Sequence, residues 1–206
     1  MSNNPIPCKV VLVGETGTGK TCIIKSFIDN KFNLNEHSSL NITYYNKVLI
    51  FQNNKSIAFD IWDTIGQEKY RSLTKNFYQN ASIGIIVYDI TNQKSFQAIK
   101  DYWYQELKTS GEDNIVIAVV GNKIDKFCEE QVKENEGKEY ADSIGAIFKL
   151  TSCLQKKGIN ELFVECGEKY LGIEKDTKVE PEKSPSISLT KETHNEIPVK
   201  KKKKKC

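Results

Sequence analysis

The sequence predicts an α/β fold, a mostly parallel six-stranded sheet with one antiparallel strand and helices on both faces. Three observations lead there. Residues 84–89 and 115–121 are near-continuous apolar runs, the pattern of strands buried on both faces. Segments of helical period lie between such runs, so the strands are joined by crossovers. The runs 44–51 and 57–63 flank a polar turn at 52–55, which reads as an antiparallel hairpin.

Taken in order, residues 9–13 form the first expected strand. A helix over 21–30 follows, with Ile23, Ile24, Phe27 and Ile28 on one side. After the hairpin and the strand at 84–89 comes a helix over 94–109, where Phe96, Ile99, Trp103 and Leu107 recur at helical spacing and read as core. The strand at 115–121 leads to a polar-faced helix over 129–143 and a short strand at 148–151. A helix over 160–171 closes the set, with Leu162, Phe163, Cys166 and Tyr170 turned one way.

A chain of 206 residues, 38% of them apolar, supports one sizeable core and not two. From residue 173 onward the composition turns to Glu, Lys, Pro, Ser and Thr, too polar to offset its ordering entropy. We therefore expect a folded domain over 1–172 and a disordered tail over 173–206. The net charge of +3 is uneven: the tail holds ten lysines against six acids, the rest twenty basic residues against twenty-one acids. A balanced body with Arg71 as its one arginine argues against nucleic-acid binding. The six cysteines show no metal spacing and read as reduced thiols of the cytosol. The start, residues 1–7, lacks the pattern of a signal peptide, and no apolar run approaches the ~20 residues of a spanning helix.

Gly14-Glu15-Thr16-Gly17-Thr18-Gly19-Lys20-Thr21 matches GxxxxGK[ST], placed directly after a strand and before a helix. Glycines let the backbone curl so that successive N–H groups face phosphate oxygens, and the helix start adds its positive dipole end. Lys20 is expected to neutralise the β- and γ-phosphates and the Thr21 hydroxyl to ligate Mg²⁺. A nucleoside triphosphate is therefore the expected ligand. The loop by itself fits an ATPase or kinase as well as a GTPase.

Asn122-Lys123-Ile124-Asp125 follows an apolar strand and so sits at the sheet's carboxyl edge. The Asp125 carboxylate there can accept from guanine N1–H and its exocyclic amine, a donor pair adenine lacks. Read alone, the segment has a lesser competing reading, a polar loop whose Asp caps the next helix. Asp63-Thr64-Ile65-Gly66-Gln67 ends another strand. Asp63 suits a role beside Mg²⁺, Gly66 could offer its N–H to the γ-phosphate, and Gln67 could orient the attacking water. A helix cap is the competing reading of Asp63.

Together these segments resemble the Ras-like small GTPases, and more narrowly the Rab family, from residue 9 to about 171. The Rab-like portions are Ile61-Trp62-Asp63-Thr64, Lys69-Tyr70-Arg71-Ser72-Leu73, Phe77-Tyr78 and Val87-Tyr88-Asp89-Ile90-Thr91; the run 31–44 is most similar to endosomal Rabs. The resemblance implies a P-loop NTPase G domain, a GTP/GDP switch that hydrolyses GTP slowly and recruits effectors to membranes in vesicle traffic. It implies that the loop 14–21 and Cys22 contact the nucleotide, and that Phe32 packs edge-on to guanine. It implies that Ser39 completes the Mg²⁺ shell, that Lys20 and Gln67 serve catalysis, and that Ser152, Cys153 and Leu154 lie in the loop contacting the base. Implied partners are effectors at the switch loops, a GTPase-activating protein, an exchange factor, and a GDP-dissociation inhibitor or escort protein. Departures are Ser39 for Thr, Ile65 for Ala, Asn41 for Gly, and Cys153 and Leu154 for Ala and Lys. Ser39, Ile65 and Leu154 leave a constitutive binding module as one rival reading, and a nuclear-transport or signalling GTPase of the same fold, to be separated by where the tail localises, is another.

Residues 200–205 are six lysines, followed by Cys206. One lipid chain gives marginal attachment, whereas a chain with a polybasic patch is stable. The pair reads as a prenyl anchor on Cys206 backed by charge, on the cytoplasmic face of endosomes or transport vesicles with a cytosolic pool. A nuclear-localisation patch or a plain charged run are the alternatives, since Rabs usually end in paired cysteines.

Overall fold

A computed structural model describes residues 4–29, 43–63 and 78–173. Six strands form one sheet: β1 (Ile6–Val13), β2 (Thr43–Ile50), β3 (Ser56–Asp63), β4 (Ile83–Asp89), β5 (Val116–Asn122) and β6 (Ile147–Thr151). Their order is β2-β3-β1-β4-β5-β6. Only β2 runs antiparallel, paired with β3 from Thr43 opposite Asp63 to Ile50 opposite Ser56. Its hairpin closes through a 3-10 turn, Gln52–Asn54, with Asn54 in the left-handed region (φ 56°). The expected fold class is the one observed.

Burial explains the strand chemistry. Every residue of β4 and β5 is buried, as apolar runs with helices on both sides require. In β3 alternate residues Ile57, Phe59, Ile61 and Asp63 are buried, while the others are partly exposed. On one face α1 (Lys20–Asp29) and α5 (Ile159–Tyr170) pack together, with the Phe27 and Phe163 rings stacked at 3.7 Å and Phe59 edge-on to both. On the other face Trp103, Phe96, Tyr88 and Tyr78 form a second cluster.

Two expected helices differ in form. In place of one helix over 94–109 there are α2 (Gln93–Ala98), a π-helical turn (Ile99–Trp103) and α3 (Tyr104–Ser110). The Asn92 side chain caps the start by accepting from the N–H groups of Lys94 and Ser95. In place of a helix over 129–143 there is a 3-10 segment, Ile124–Glu129, and then α4 (Glu134–Ser143). The cause is tertiary: the N–H groups of Gln131 and Val132 both donate to the Ile90 carbonyl, at 2.8 and 3.0 Å, and Val132 is fully buried. With the chain held there, Glu130 (ψ 127°) and Lys133 (ψ 149°) take non-helical backbone, and the helix begins only at Glu134. Among the described residues no helix is long and apolar enough to cross a membrane.

Candidate functional site

The parallel strands deliver the chemistry-bearing residues to one edge. Gly14 follows β1, and Asp63, Asp89, Asn122 and Thr151 are the last residues of β3, β4, β5 and β6. Ligands bind outside these carboxyl ends in open α/β sheets.

The loop 14–19 is shaped by close approaches that only glycine permits. Gly14 has φ 140°, and a Cβ there would lie 2.1 Å from the Val87 carbonyl oxygen. Gly19 has φ 98°, and a Cβ would lie 2.3 Å from Asn122 Nδ2. Thr16 and Gly17 are exposed at the tip, whereas Thr18 is buried and its hydroxyl donates to the Glu15 carbonyl at 2.9 Å. Lys20, 6% exposed, opens α1 and folds back over the loop, donating to the carbonyls of Gly14 (2.8 Å) and Glu15 (3.0 Å). Burial lowers its pKa to about 8 against the opposing pull of Asp63 and Glu15. A buried ammonium with two neutral acceptors is poised to gain from an arriving polyanion.

Beside it the Thr21 hydroxyl donates to Asp63 Oδ2 at 2.7 Å. A hydroxyl and a carboxylate side by side are hard oxygen donors of the kind Mg²⁺ takes, in the small number it takes when phosphate supplies further oxygens. Among the described residues no group of three or more His, Cys, Asp and Glu side chains could hold a metal. The donors present fit Mg²⁺ shared with a phosphate ligand. Cys22, partly buried, packs against the core cluster of α1 and α5.

The loops after β5 and β6 are cross-braced. Asn122 Nδ2 donates to the Thr18 carbonyl at 2.8 Å, and Asn122 Oδ1 accepts from the Thr151 hydroxyl at 3.0 Å. One side chain thus links β6, β5 and the phosphate loop. Asp125 Oδ1 accepts a hydrogen bond from the Ser152 hydroxyl, and the Gln155 N–H donates to the same hydroxyl oxygen at 3.0 Å. Lys123, in a left-handed conformation (φ 68°, ψ 37°), pairs with Asp89 across 2.6 Å. Burial works against the Asp89 carboxylate, yet Lys123 and Thr91 outweigh it and hold its pKa below the ordinary value. Cys153 is buried, which pushes its thiol to about 12, and Leu154 is half exposed beside it. Cys153 therefore contributes shape and backbone, not thiolate chemistry.

The model of the Ras family matches residues 9–171 of this chain. The chain is 41% identical over 157 residues to the Ras-related protein Rab-22A of Homo sapiens, covering 76% of this chain and 80% of that one. It is 38% identical over 169 residues to Rab-5A of Dictyostelium discoideum, covering 82% and 83%, and 37% identical over 166 residues to Rab-21 of Geodia cydonium, covering 81% and 72%. The chain is a Rab-type member of the Ras family. It is a small GTPase, binding GTP and GDP, hydrolysing GTP and regulating vesicle traffic through effector and regulator partners.

Within this Rab-type GTPase the described residues bring Gly14, Glu15, Thr16, Gly17, Thr18, Gly19, Lys20, Thr21, Cys22, Asp63, Asn122, Lys123, Asp125, Ser152, Cys153 and Leu154 to the same end of the sheet. Phe32, Ser39, Gly66 and Gln67, with the departures at Asn41 and Ile65, lie outside the described residues, as do Arg71, the lysines at 200–205 and Cys206. Sequence reasoning missed two partners of the site. Asp89 appeared only as part of a family-like run, and Trp103 only as core, although its indole N–H reaches Glu15 Oε1 at 3.2 Å.

Proposed function

We propose that the phosphate loop 14–21 grips GTP, that Asp125 selects guanine, and that hydrolysis proceeds by in-line attack of a water oriented by Gln67. The observation that carries this reading is the Asn122 side chain. It ties the Thr18 carbonyl to Thr151, which supports reading the loop 14–21 and the loops after β5 and β6 as parts of one site.

Backbone N–H groups of 14–19 and the Lys20 ammonium balance the charge of the phosphates, and the γ-phosphoryl group passes in line to water. Lys20 exchanges two carbonyl contacts for phosphate oxygens on binding. Thr21 and Asp63 would hold Mg²⁺, with Ser39 completing the set. Bound there, Mg²⁺ neutralises charge on the β- and γ-phosphates. Asp125, already oriented by Ser152, offers its carboxylate to guanine N1–H and the 2-amino group. Phe32 flanks the base, and the backbone at 152–154 faces its carbonyl oxygen. Intrinsic turnover is slow, on the order of 10⁻⁴ s⁻¹ by likeness to the unaided Ras reaction, and an activating protein accelerates it. Loss of the γ-phosphate releases Ser39 and Gly66, and effectors detach.

Cys206, prenylated, and Lys200 to Lys205 anchor the protein to the cytoplasmic face of endosomes or transport vesicles, with exchange factor and GDP-dissociation inhibitor or escort protein controlling the cycle. The names of the relatives, Rab-22A, Rab-21 and Rab-5A, support an endosomal setting.

The deciding experiment is nucleotide titration of the full chain and its Asp125→Asn variant. Wild type should prefer guanine over adenine nucleotides by orders of magnitude, and the variant should favour xanthine. A variant indifferent between guanine and xanthine would overturn the assignment. Hydrolysis unaffected by Gln67→Leu would remove Gln67 from the mechanism, and a Cys206→Ser protein that stays on membranes would remove the anchor.

A further inference from the structure

We infer that Asp89 is a positioning residue for guanine recognition, holding Lys123 so that the turn after it presents Asp125 to the base. The inference rests on reading the loop 122–125 as the base-recognition loop, and it assigns to Asp89 a role that loop needs.

Asp89 ends β4 directly opposite Asn122, the last residue of β5. Both its carboxylate oxygens are committed. Oδ1 accepts from the Thr91 N–H at 2.9 Å and the Thr91 hydroxyl at 2.7 Å, and Oδ2 faces Lys123 Nζ at 2.6 Å. The Asp89 backbone N–H donates to Ser95 Oγ at 3.0 Å, anchoring the residue to the start of α2. Its side chain is 11% exposed and that of Lys123 32%. Ordinary surface ion pairs contribute little, because two long side chains must be ordered and water screens them. Here the carboxylate is already oriented by Thr91, so the lysine meets a fixed partner.

What the pair holds in place is an unfavourable backbone. Lys123 has φ 68°, a region that residues bearing an ordinary side chain seldom adopt. That left-handed residue reverses the chain, and the Lys126 N–H then donates to the Lys123 carbonyl at 2.9 Å, closing the turn that carries Asp125. Asp125 emerges next to the Ser152 hydroxyl. Without Asp89 the Lys123 ammonium has no oriented partner to favour the left-handed conformer. The turn would then sample right-handed geometry, and Asp125 would lose its aim at N1–H and the 2-amino group.

The test uses the full chain loaded with fluorescent GDP. Asp89→Asn should release GDP faster by about tenfold, a change of about 1.4 kcal/mol. It should also narrow the preference for GDP over inosine diphosphate, which lacks the 2-amino group; a general loosening of the fold would weaken both nucleotides alike. In a Lys123→Ala background the Asp89→Asn change should add less than about twofold, since coupled residues are not additive. Asp125→Asn run in parallel separates the two readings. If that variant does not turn toward xanthine, the base-loop assignment itself fails. If it does, while Asp89→Asn releases GDP like wild type, keeps the GDP-to-inosine ratio, or acts as strongly without Lys123, the role given to Asp89 is overturned. Should Asp89→Asn not fold, Thr91→Val removes the orienting hydroxyl and takes the same measurements.

Discussion

The indole N–H of Trp103 donates to Glu15 Oε1 at 3.2 Å, joining the middle of a helix to the phosphate loop across 88 positions of sequence. Trp103 is itself buried among Phe96, Ile99 and Leu107, so its position is set by the core and the loop is tethered to something rigid.

Glu15→Ala removes this bond, and bonds to charged acceptors are worth about 1.5–3 kcal/mol. A lower unfolding temperature and faster GDP release are expected, with Glu15→Gln falling between variant and wild type because its amide oxygen still accepts. Equal behaviour of Ala and wild type would show that the tether carries no load.

Lys20 makes a pH-dependent prediction. Its folded pKa of about 8 lies below the ordinary value of 10.5, so the unfolded chain holds this proton more tightly. Below about 8 both states are charged and the folded state bears the full penalty of burying it. Between about 8 and 10.5 the folded lysine is neutral while the unfolded one is charged, so the penalty fades and stability rises with pH. In nucleotide-free protein Lys20→Met should therefore melt higher than wild type at pH 7, with the gap narrowing by pH 10. The same variant should lose GTP binding. A gap that does not change with pH would contradict the assignment to this group.

Thr21→Ala deletes the hydroxyl that sits 2.7 Å from Asp63 Oδ2. The proposed Mg²⁺ site then loses a ligand, and the Mg²⁺ concentration that retains half the bound GDP should rise by an order of magnitude or more. Titrating GDP release with magnesium in both proteins reads this directly. Overlapping curves would place the ion elsewhere.

The Tyr88 hydroxyl is buried and has no hydrogen-bond partner among the described residues. It occupies space beside Gly121 and Gly137, where an added Cβ would lie 2.7 and 2.3 Å from it. A buried unsatisfied hydroxyl costs about 1–3 kcal/mol by mutational measures, so Tyr88→Phe should be neutral or stabilising in denaturant unfolding. The same change should soften the loss caused by Gly121→Ala. A clear destabilisation by Tyr88→Phe would point to a partner for the hydroxyl in solution.

Local chemistry made much of this molecule legible from its residues. Gly14 and Gly19 stand out in sequence because their backbone positions tolerate no Cβ, and the all-apolar runs of β4 and β5 announce strands covered on both sides. Relationships between distant segments were hidden. The pairing of Asp89 with Lys123 depends on Asp89 standing opposite Asn122, a register no local pattern encodes. The start of α4 at Glu134 is hidden in the same way, because docking of Gln131 and Val132 on the distant Ile90 carbonyl goes with an extended backbone at Lys133 (ψ 149°) that no local pattern encodes. The spacing of Phe96, Ile99, Trp103 and Leu107 fits a uniform α-helix and a locally widened one equally, so the π turn left no mark.

That widened turn, Ile99–Trp103, stores one surplus residue in the helix. Deleting a single residue inside it, ahead of Trp103, would let the coil wind evenly, and the part beyond would keep its facing because the widened turn had already absorbed the surplus. The indole would then still reach Glu15, and the sheet would stay whole. In this position chain length has slack to give, and hydrogen exchange at residues 14–19 of such a deletion variant should match that of the full-length helix.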